Sequence, residues 1–81
     1  MTARPSLHLV ELTDKQVEVL SHLANGLDQP AIARVMQISV STVRSHLRDS
    51  LVRLGAASGT HAVALAIGLD ILPADVATTR R

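Results

Sequence analysis

Signals that start and stop helices recur four times in this chain of 81 residues. Thr13 and Gln16 have the spacing of a capping box, in which each side chain accepts a hydrogen bond from the other residue's backbone N–H. Gly26 follows as a stop signal, because glycine readily adopts the left-handed conformation that ends a helix. These signals predict a first helix over about residues 14–25. Its predicted apolar face consists of Val17, Leu20, Leu23 and Ala24.

A short second helix and a longer third helix follow, with a tight connection between them. Asp28 is a suitable N-cap for the second helix, which tolerates Pro30 in its first turn and ends near Gln37. Ser39 can cap a third helix that continues to the stop signal at Gly55. A two-turn helix, a tight turn and a longer amphipathic helix form the helix-turn-helix arrangement.

A fourth helix over about residues 60–68 completes the pattern, and no segment shows the sustained alternation of a strand. We therefore predict an all-α fold, a bundle of four helices that occupies residues 12–72. Residues 1–11 and 73–81 are predicted to be tails or linker ends, because prolines punctuate them and no apolar period continues through them.

The composition argues against several kinds of site. The chain contains no Phe, Tyr or Trp, so it lacks the aromatic side chains on which single-strand and RNA-binding sheets stack bases. It contains no cysteine, and its four histidines are too widely spaced to form a metal pair on one helix turn. It also lacks a glycine-rich phosphate loop and a nucleophile elbow. The sequence therefore predicts no enzymatic activity, no metal site and no cofactor.

Two further features bear on location. The longest apolar stretch, residues 62–72, is interrupted by Gly68 and Asp70 and falls short of the roughly 20 residues that a membrane span needs. The N-terminus has no apolar segment of the kind found in signal peptides. Together with the absence of cysteine, these features predict a cytoplasmic protein without a membrane partner.

Positive charge is concentrated in the middle of the chain. The formal net charge is only +1, but residues 34–53 carry four arginines against one aspartate, a net of +3. Residues 1–33 have a net charge of −2, and the remaining residues are neutral overall. A modest basic patch in this region favours a nucleic-acid partner.

The third helix has one apolar and one polar side when its residues are placed at about 100° intervals. An α-helix fits the major groove of B-DNA, and arginine can donate two hydrogen bonds to guanine O6 and N7. Serine and threonine at the helix N-terminus can present hydroxyls and backbone N–H groups to a phosphate. A surface helix that only faces solvent would show the same division into an apolar and a polar side. The tight turn and short helix that precede this helix are therefore what favours DNA binding. The polar side consists of Ser41, Ser45, Arg48, Asp49 and Val52, with Arg44 at its flank.

A set of short motifs occurs at fixed spacing along all four predicted helices. The motifs are Leu12-Thr13, Glu18-Val19-Leu20, Ala24, Gly26-Leu27, Ile32-Ala33, Ile38-Ser39, Thr42-Val43-Arg44, His46, Arg53-Leu54-Gly55, Thr60 and Ala62-Val63. Together they resemble the LuxR-type (GerE-like) helix-turn-helix domains of bacterial transcriptional regulators. The resemblance covers residues 12–72 without gaps and implies a four-helix bundle whose third helix enters the major groove. It implies sequence-specific binding of double-stranded DNA in transcription regulation.

The resemblance also implies roles for individual residues. Arg44, Ser45 and Arg48 occupy the positions that read bases in this family. The resemblance assigns no role to Asp49, which lies on the same side of the helix and would either accept a hydrogen bond from cytosine N4 or pair with Arg53. The resemblance assigns Thr42 and Arg53 to phosphates. With Ser41 at the helix N-terminus and the positive charge of Arg34, the residues predicted to contact phosphates are Ser41, Thr42, Arg53 and Arg34.

The fourth helix has a wide apolar surface, which spans about 200° where one core needs a stripe of about 100°. In the family this helix commonly carries the dimer contact, which implies a homodimer through Ala62, Leu65, Ala66 and Leu69. The alternative is that residues 71–72 fold back over the same surface. The two explanations are equally compatible with the sequence.

Two other functions fit a helix-turn-helix. Region 4 of bacterial sigma factors has a similar arrangement, and a protein-interaction module could keep the fold with weak or no DNA binding. Several arginines typical of the family after the Leu54-Gly55 pair are missing here, which motivates the second possibility. We expect double-stranded DNA as the main partner, and RNA polymerase or a regulatory domain outside this chain as further ones. The chain is either an excised domain or a free-standing regulator.

Overall fold

Four α-helices form the regular structure of residues 10–73, which are the residues that this computed structural model describes. They are α1 (Asp14–Ala24), α2 (Gln29–Met36), α3 (Val40–Leu54) and α4 (Gly59–Gly68). No strand occurs between residues 10 and 73, so the predicted all-α fold of four helices is confirmed. The predicted tails, residues 1–11 and 73–81, fall almost entirely outside the described residues, and the domain limits stay a prediction.

The helices begin at polar residues that cap them. Thr13 Oγ1 accepts a hydrogen bond from the backbone N–H of Gln16 at 3.1 Å, and Gln16 Oε1 accepts one from the N–H of Thr13 at 2.9 Å. Asp28 Oδ1 accepts a hydrogen bond of 3.0 Å from the backbone N–H of Ala31 in the first turn of α2. Ser58 Oγ accepts a hydrogen bond of 3.1 Å from the backbone N–H of His61 at the start of α4. The sequence analysis missed this cap. Each bond satisfies an N–H that has no partner inside its helix.

The core consists of two apolar clusters that meet at α1. The half-buried side chains of Leu23 and Leu47 pack against both clusters. Because the neighbouring residues Val19 and Leu20 belong to different clusters, α1 is packed on two sides. The helix-turn-helix cluster joins α1 to α2 and α3 through Val19, Ile32, Ala33 and Val43. The C-terminal cluster joins α1 to α4 and the residues after it through Leu20, Ala62, Ala66 and Leu72.

The segment after α4 accounts for much of that helix's wide apolar surface. The backbone N–H groups of Ile71 and Leu72 both donate to the carbonyl oxygen of Ala66, at 2.8 and 3.1 Å. The Leu72 side chain is 1% exposed, and Ala62 and Ala66 are completely buried beneath it. The structure therefore shows the fold-back, and it corrects the expected dimer contact for Ala62 and Ala66, whose side chains lie in the protomer's own core. The other two residues of the predicted dimer contact are more accessible: Leu65 is half-buried and Leu69 is 38% exposed.

No single helix between residues 10 and 73 is long and apolar enough to cross a membrane. Helices α3 and α4 meet the length and composition of a span only when they are taken together, across a bend of 55°.

Candidate nucleic-acid interface

A tight turn between α2 and α3 sets the direction of the third helix. Gln37 ends α2 in the left-handed conformation, with φ 59° and ψ 45°. The backbone N–H of Ile38 then donates to the carbonyl oxygen of Ala33 at 3.0 Å, and the Ile38 side chain packs against the helix-turn-helix cluster. A residue in the left-handed region costs energy when it is not glycine, so this turn is held by the packing around it.

Three hydroxyl groups gather at the N-terminus of α3. Ser39 Oγ accepts a hydrogen bond from the backbone N–H of Thr42 at 3.0 Å. The same oxygen lies 2.8 Å from Thr42 Oγ1 and 3.1 Å from Ser41 Oγ. Ser41 is exposed, whereas Thr42 is half-buried. The predicted phosphate contacts Ser41 and Thr42 are thus adjacent to the helix cap, and both are oriented by Ser39.

Removal of this cap is expected to destabilise the fold. Replacement of Ser39 by alanine should lower the free energy of unfolding by about 0.5–2 kcal/mol, because the N–H groups at the start of α3 lose their side-chain acceptor. Urea unfolding followed by circular dichroism measures this loss. Ser45→Ala is the matched control, since Ser45 is exposed in the middle of α3 and makes no cap. Equal unfolding midpoints for the two variants would contradict this account of the turn.

The outward face of α3 consists of side chains that are all exposed to solvent. The opposite side holds the helix in place: Val43 is completely buried, and the buried Ser50 hydroxyl donates to the carbonyl oxygen of His46 at 2.8 Å. The three predicted base-reading residues lie together on the outward side, within about one turn of each other. We define the outward face as Ser41, Arg44, Ser45, Arg48, Asp49 and Val52.

Arg53 and Arg34, the two arginines predicted to contact phosphates, lie outside this face, and both are exposed. Arg34 is on α2. Arg53 is near the end of α3, and its Nη1 donates to the backbone carbonyl oxygen of Glu11 at 3.1 Å. This bond connects the segment before α1 to the C-terminal end of the third helix. Sequence analysis missed it, because the acceptor is a main-chain atom that no residue type reveals.

Within the described part of the chain, the outward face takes part in no ion pair. In residues 10–73 the pairs are Lys15 Nζ with Glu18 Oε1 at 4.0 Å and His22 Nε2 with Glu18 Oε2 at 3.8 Å, both on α1. The pairing of Asp49 with Arg53, one of the two roles considered for Asp49, is absent from this structure. Nor do three histidine or carboxylate side chains between residues 10 and 73 come close enough together to hold a metal ion.

Comparison with known proteins identifies the family. The family model for bacterial regulatory proteins of the luxR family matches residues 10–66. Transcriptional regulatory protein YdfI of Bacillus subtilis is 43% identical over 65 residues, which are 80% of this chain and 30% of the relative.

Solved structures agree with this match. A VqmA–ligand–DNA complex from Vibrio cholerae has a TM-score of 0.67 at 31% identity and covers 83% of this chain and 29% of the VqmA chain. A VqmA dimer without target DNA has a TM-score of 0.72 at 29% identity, over 93% of this chain and 35% of that one. The chain thus spans about a third of the length of these proteins. It belongs to the luxR family of bacterial regulatory proteins.

Proposed function

We propose that this chain is the DNA-binding domain of a bacterial transcription regulator, and that α3 reads a specific sequence in the major groove of double-stranded DNA. The outward face of α3 carries this proposal. Fold alone does not give function, but this face supplies the chemistry that base reading needs. Arg44 and Arg48 are exposed and take part in no ion pair within residues 10–73, so their donors are available to a ligand.

The residues of the interface divide by the part of DNA that they would contact. Arg44 and Arg48 donate to guanine O6 and N7, and the Ser45 hydroxyl donates to or accepts from a neighbouring base edge. Contacts with phosphates fix the register of the protein on the duplex without reading sequence. The residues assigned to phosphates are Ser41, Thr42, Arg53 and Arg34.

The length of the outward face argues for two copies on one site. The helix rises about 1.5 Å per residue, so the path from Ser41 to Arg48 covers about 10 Å, or about three base pairs. A site this short occurs too often in a genome to be selective. A two-fold dimer would read two half-sites about one helical turn apart. Leu65 and Leu69 on α4 remain candidates for the dimer contact, and the related VqmA is a dimer.

Further partners follow from the same proposal. A regulator of this kind acts in the cytoplasm, where bacterial DNA lies. A regulatory domain outside this chain is a predicted partner, because the relatives named above are about three times as long as the part that this chain matches. RNA polymerase is the further partner that regulation of transcription implies.

Selection from a randomised duplex pool tests the proposal. We expect the purified chain at low salt to enrich a motif with guanines at the positions read by Arg44 and Arg48. A palindromic motif would support the dimer, and a single half-site would indicate a monomer. Failure to enrich any motif would contradict sequence-specific binding and would favour a protein-interaction module with the same fold.

A further inference from the structure

We propose that Asp49 is a specificity-determining residue whose carboxylate accepts a hydrogen bond from the N4 amino group of a cytosine. The inference rests on the proposed function of α3 and adds a fourth residue to the three that the family resemblance assigns to base reading. Its effect would be to reject most base pairs at one position rather than to strengthen binding in general.

The position of Asp49 brings it to the same groove as the arginines. It follows Arg48 directly and lies one turn after Ser45, and all three side chains are exposed. On the helical wheel Asp49 and Arg44 are roughly 140° apart, on opposite flanks of the outward face. A helix that places Arg48 at the floor of the groove therefore brings Asp49 to the edge of a neighbouring base pair.

A structural role does not account for this carboxylate. The other described helices use their aspartates at their starts: Asp28 caps α2, and Asp14 lies in the first turn of α1, where negative charge is favourable. Asp49 is the tenth of fifteen residues in α3, beyond the reach of the helix N-terminus. Aspartate is also a poor helix former in such an interior position.

No ion pair within residues 10–73 accounts for this carboxylate. Arg53 lies four residues after Asp49, a spacing that allows an ion pair on a helix. Its Nη1 instead donates to the Glu11 carbonyl oxygen, and Asp49 is absent from the ion pairs of residues 10–73. The carboxylate on the outward face thus keeps its full capacity to accept hydrogen bonds from a ligand.

The chemistry of the groove selects cytosine as that ligand. Guanine presents acceptors at O6 and N7, and thymine presents an acceptor at O4, all of which would face the carboxylate without a hydrogen. Cytosine presents the N4 amino donor. Adenine also presents an amino donor at N6, but its N7 acceptor lies beside that donor and repels the second oxygen of the carboxylate. Because DNA is negatively charged, the carboxylate weakens binding to every sequence that does not supply this donor. Asp49 would therefore act mainly against wrong sites, a repulsive element that increases specificity.

The test compares the motifs enriched by the wild-type chain and by Asp49→Asn from one randomised duplex pool. We expect the wild-type chain to prefer cytosine by about fivefold or more at one base pair of each half-site. In Asp49→Asn the preference should change to adenine there, because asparagine pairs with adenine N6 and N7. The guanines assigned to Arg44 and Arg48 should be unchanged. Asp49→Ala should lose the cytosine preference and gain no other.

The control and the outcomes separate this inference from the function on which it rests. Asp14→Asn removes the same charge from the first turn of α1 and should enrich the wild-type motif. If Asp49→Asn also enriches the wild-type motif, the role of Asp49 is overturned while the proposed function stands. If the wild-type chain enriches no motif, both are overturned. Circular dichroism spectra establish that every variant compared is folded.

Discussion

Replacement of both Arg44 and Arg48 by alanine is expected to lower affinity for the selected duplex by about 30-fold to 10⁴-fold. Each arginine that binds guanine through two hydrogen bonds contributes about 1–3 kcal/mol of discrimination, and two such pairs are lost. Both side chains are exposed and outside the core, so the fold should be retained. Fluorescence anisotropy with a labelled duplex measures the loss; the label belongs on the DNA, because the chain has no Trp or Tyr.

The two arginines assigned to phosphates provide the control for this experiment. Arg34→Ala and Arg53→Ala should weaken binding to selected and unrelated duplexes by the same factor. Each should also make the dependence of log affinity on log salt shallower by about 0.9. The double variant at Arg44 and Arg48 should instead remove the difference between selected and unrelated sequences. If it kept that difference, base reading by the outward face of α3 would be refuted.

The second large effect concerns the C-terminal cluster. Replacement of Leu20 by alanine is expected to lower the free energy of unfolding by about 2–5 kcal/mol, because the lost side chain is completely buried and leaves a cavity between α1 and α4. A chain of this length has a total stability of about 4–12 kcal/mol. The substitution therefore removes a large fraction of the stability, although Leu20 lies outside the proposed DNA interface.

Thermal and urea unfolding followed by circular dichroism at 222 nm measure this change. Val52→Ala is the matched control, since it also shortens an aliphatic side chain but at a site that is 74% exposed, where an effect within about 0.5 kcal/mol is expected. At a temperature where both variants are folded, Leu20→Ala should bind the selected duplex as the wild-type chain does. A midpoint for Leu20→Ala equal to that of Val52→Ala would contradict the packing of α4 against α1.

Local signals made the helices predictable from the sequence. The capping side chains Thr13, Asp28 and Ser39 act within three residues of themselves, so their effects depend little on the rest of the fold. The start of α4 was predicted less accurately. Ser58 is followed by Gly59, and glycine is a poor helix former, yet α4 begins at Gly59. Packing across the molecule decides such a boundary, and packing has no local sequence signal.

Contacts between distant residues were not predictable in the same way. Val19 is completely buried, yet it lies outside the apolar face predicted for α1, because a single face does not describe a helix that is packed on two sides. Ala62 and Ala66 could serve a core or an interface equally well until the path of residues 71–72 was known. In contrast, the predicted base-reading residues do lie together on one exposed side, because helical periodicity alone sets that arrangement.

The division of the core at α1 has a consequence for how the domain opens. Separation of α1 from either neighbour uncovers Val19 or Leu20, and the half-buried Leu23 and Leu47 bridge the two clusters. We therefore expect that neither half persists alone and that the domain unfolds as one cooperative unit. Backbone amides in the middle of α1 should be among the slowest to exchange with solvent deuterium. The helix that holds the domain together is thus a different one from the helix that faces DNA.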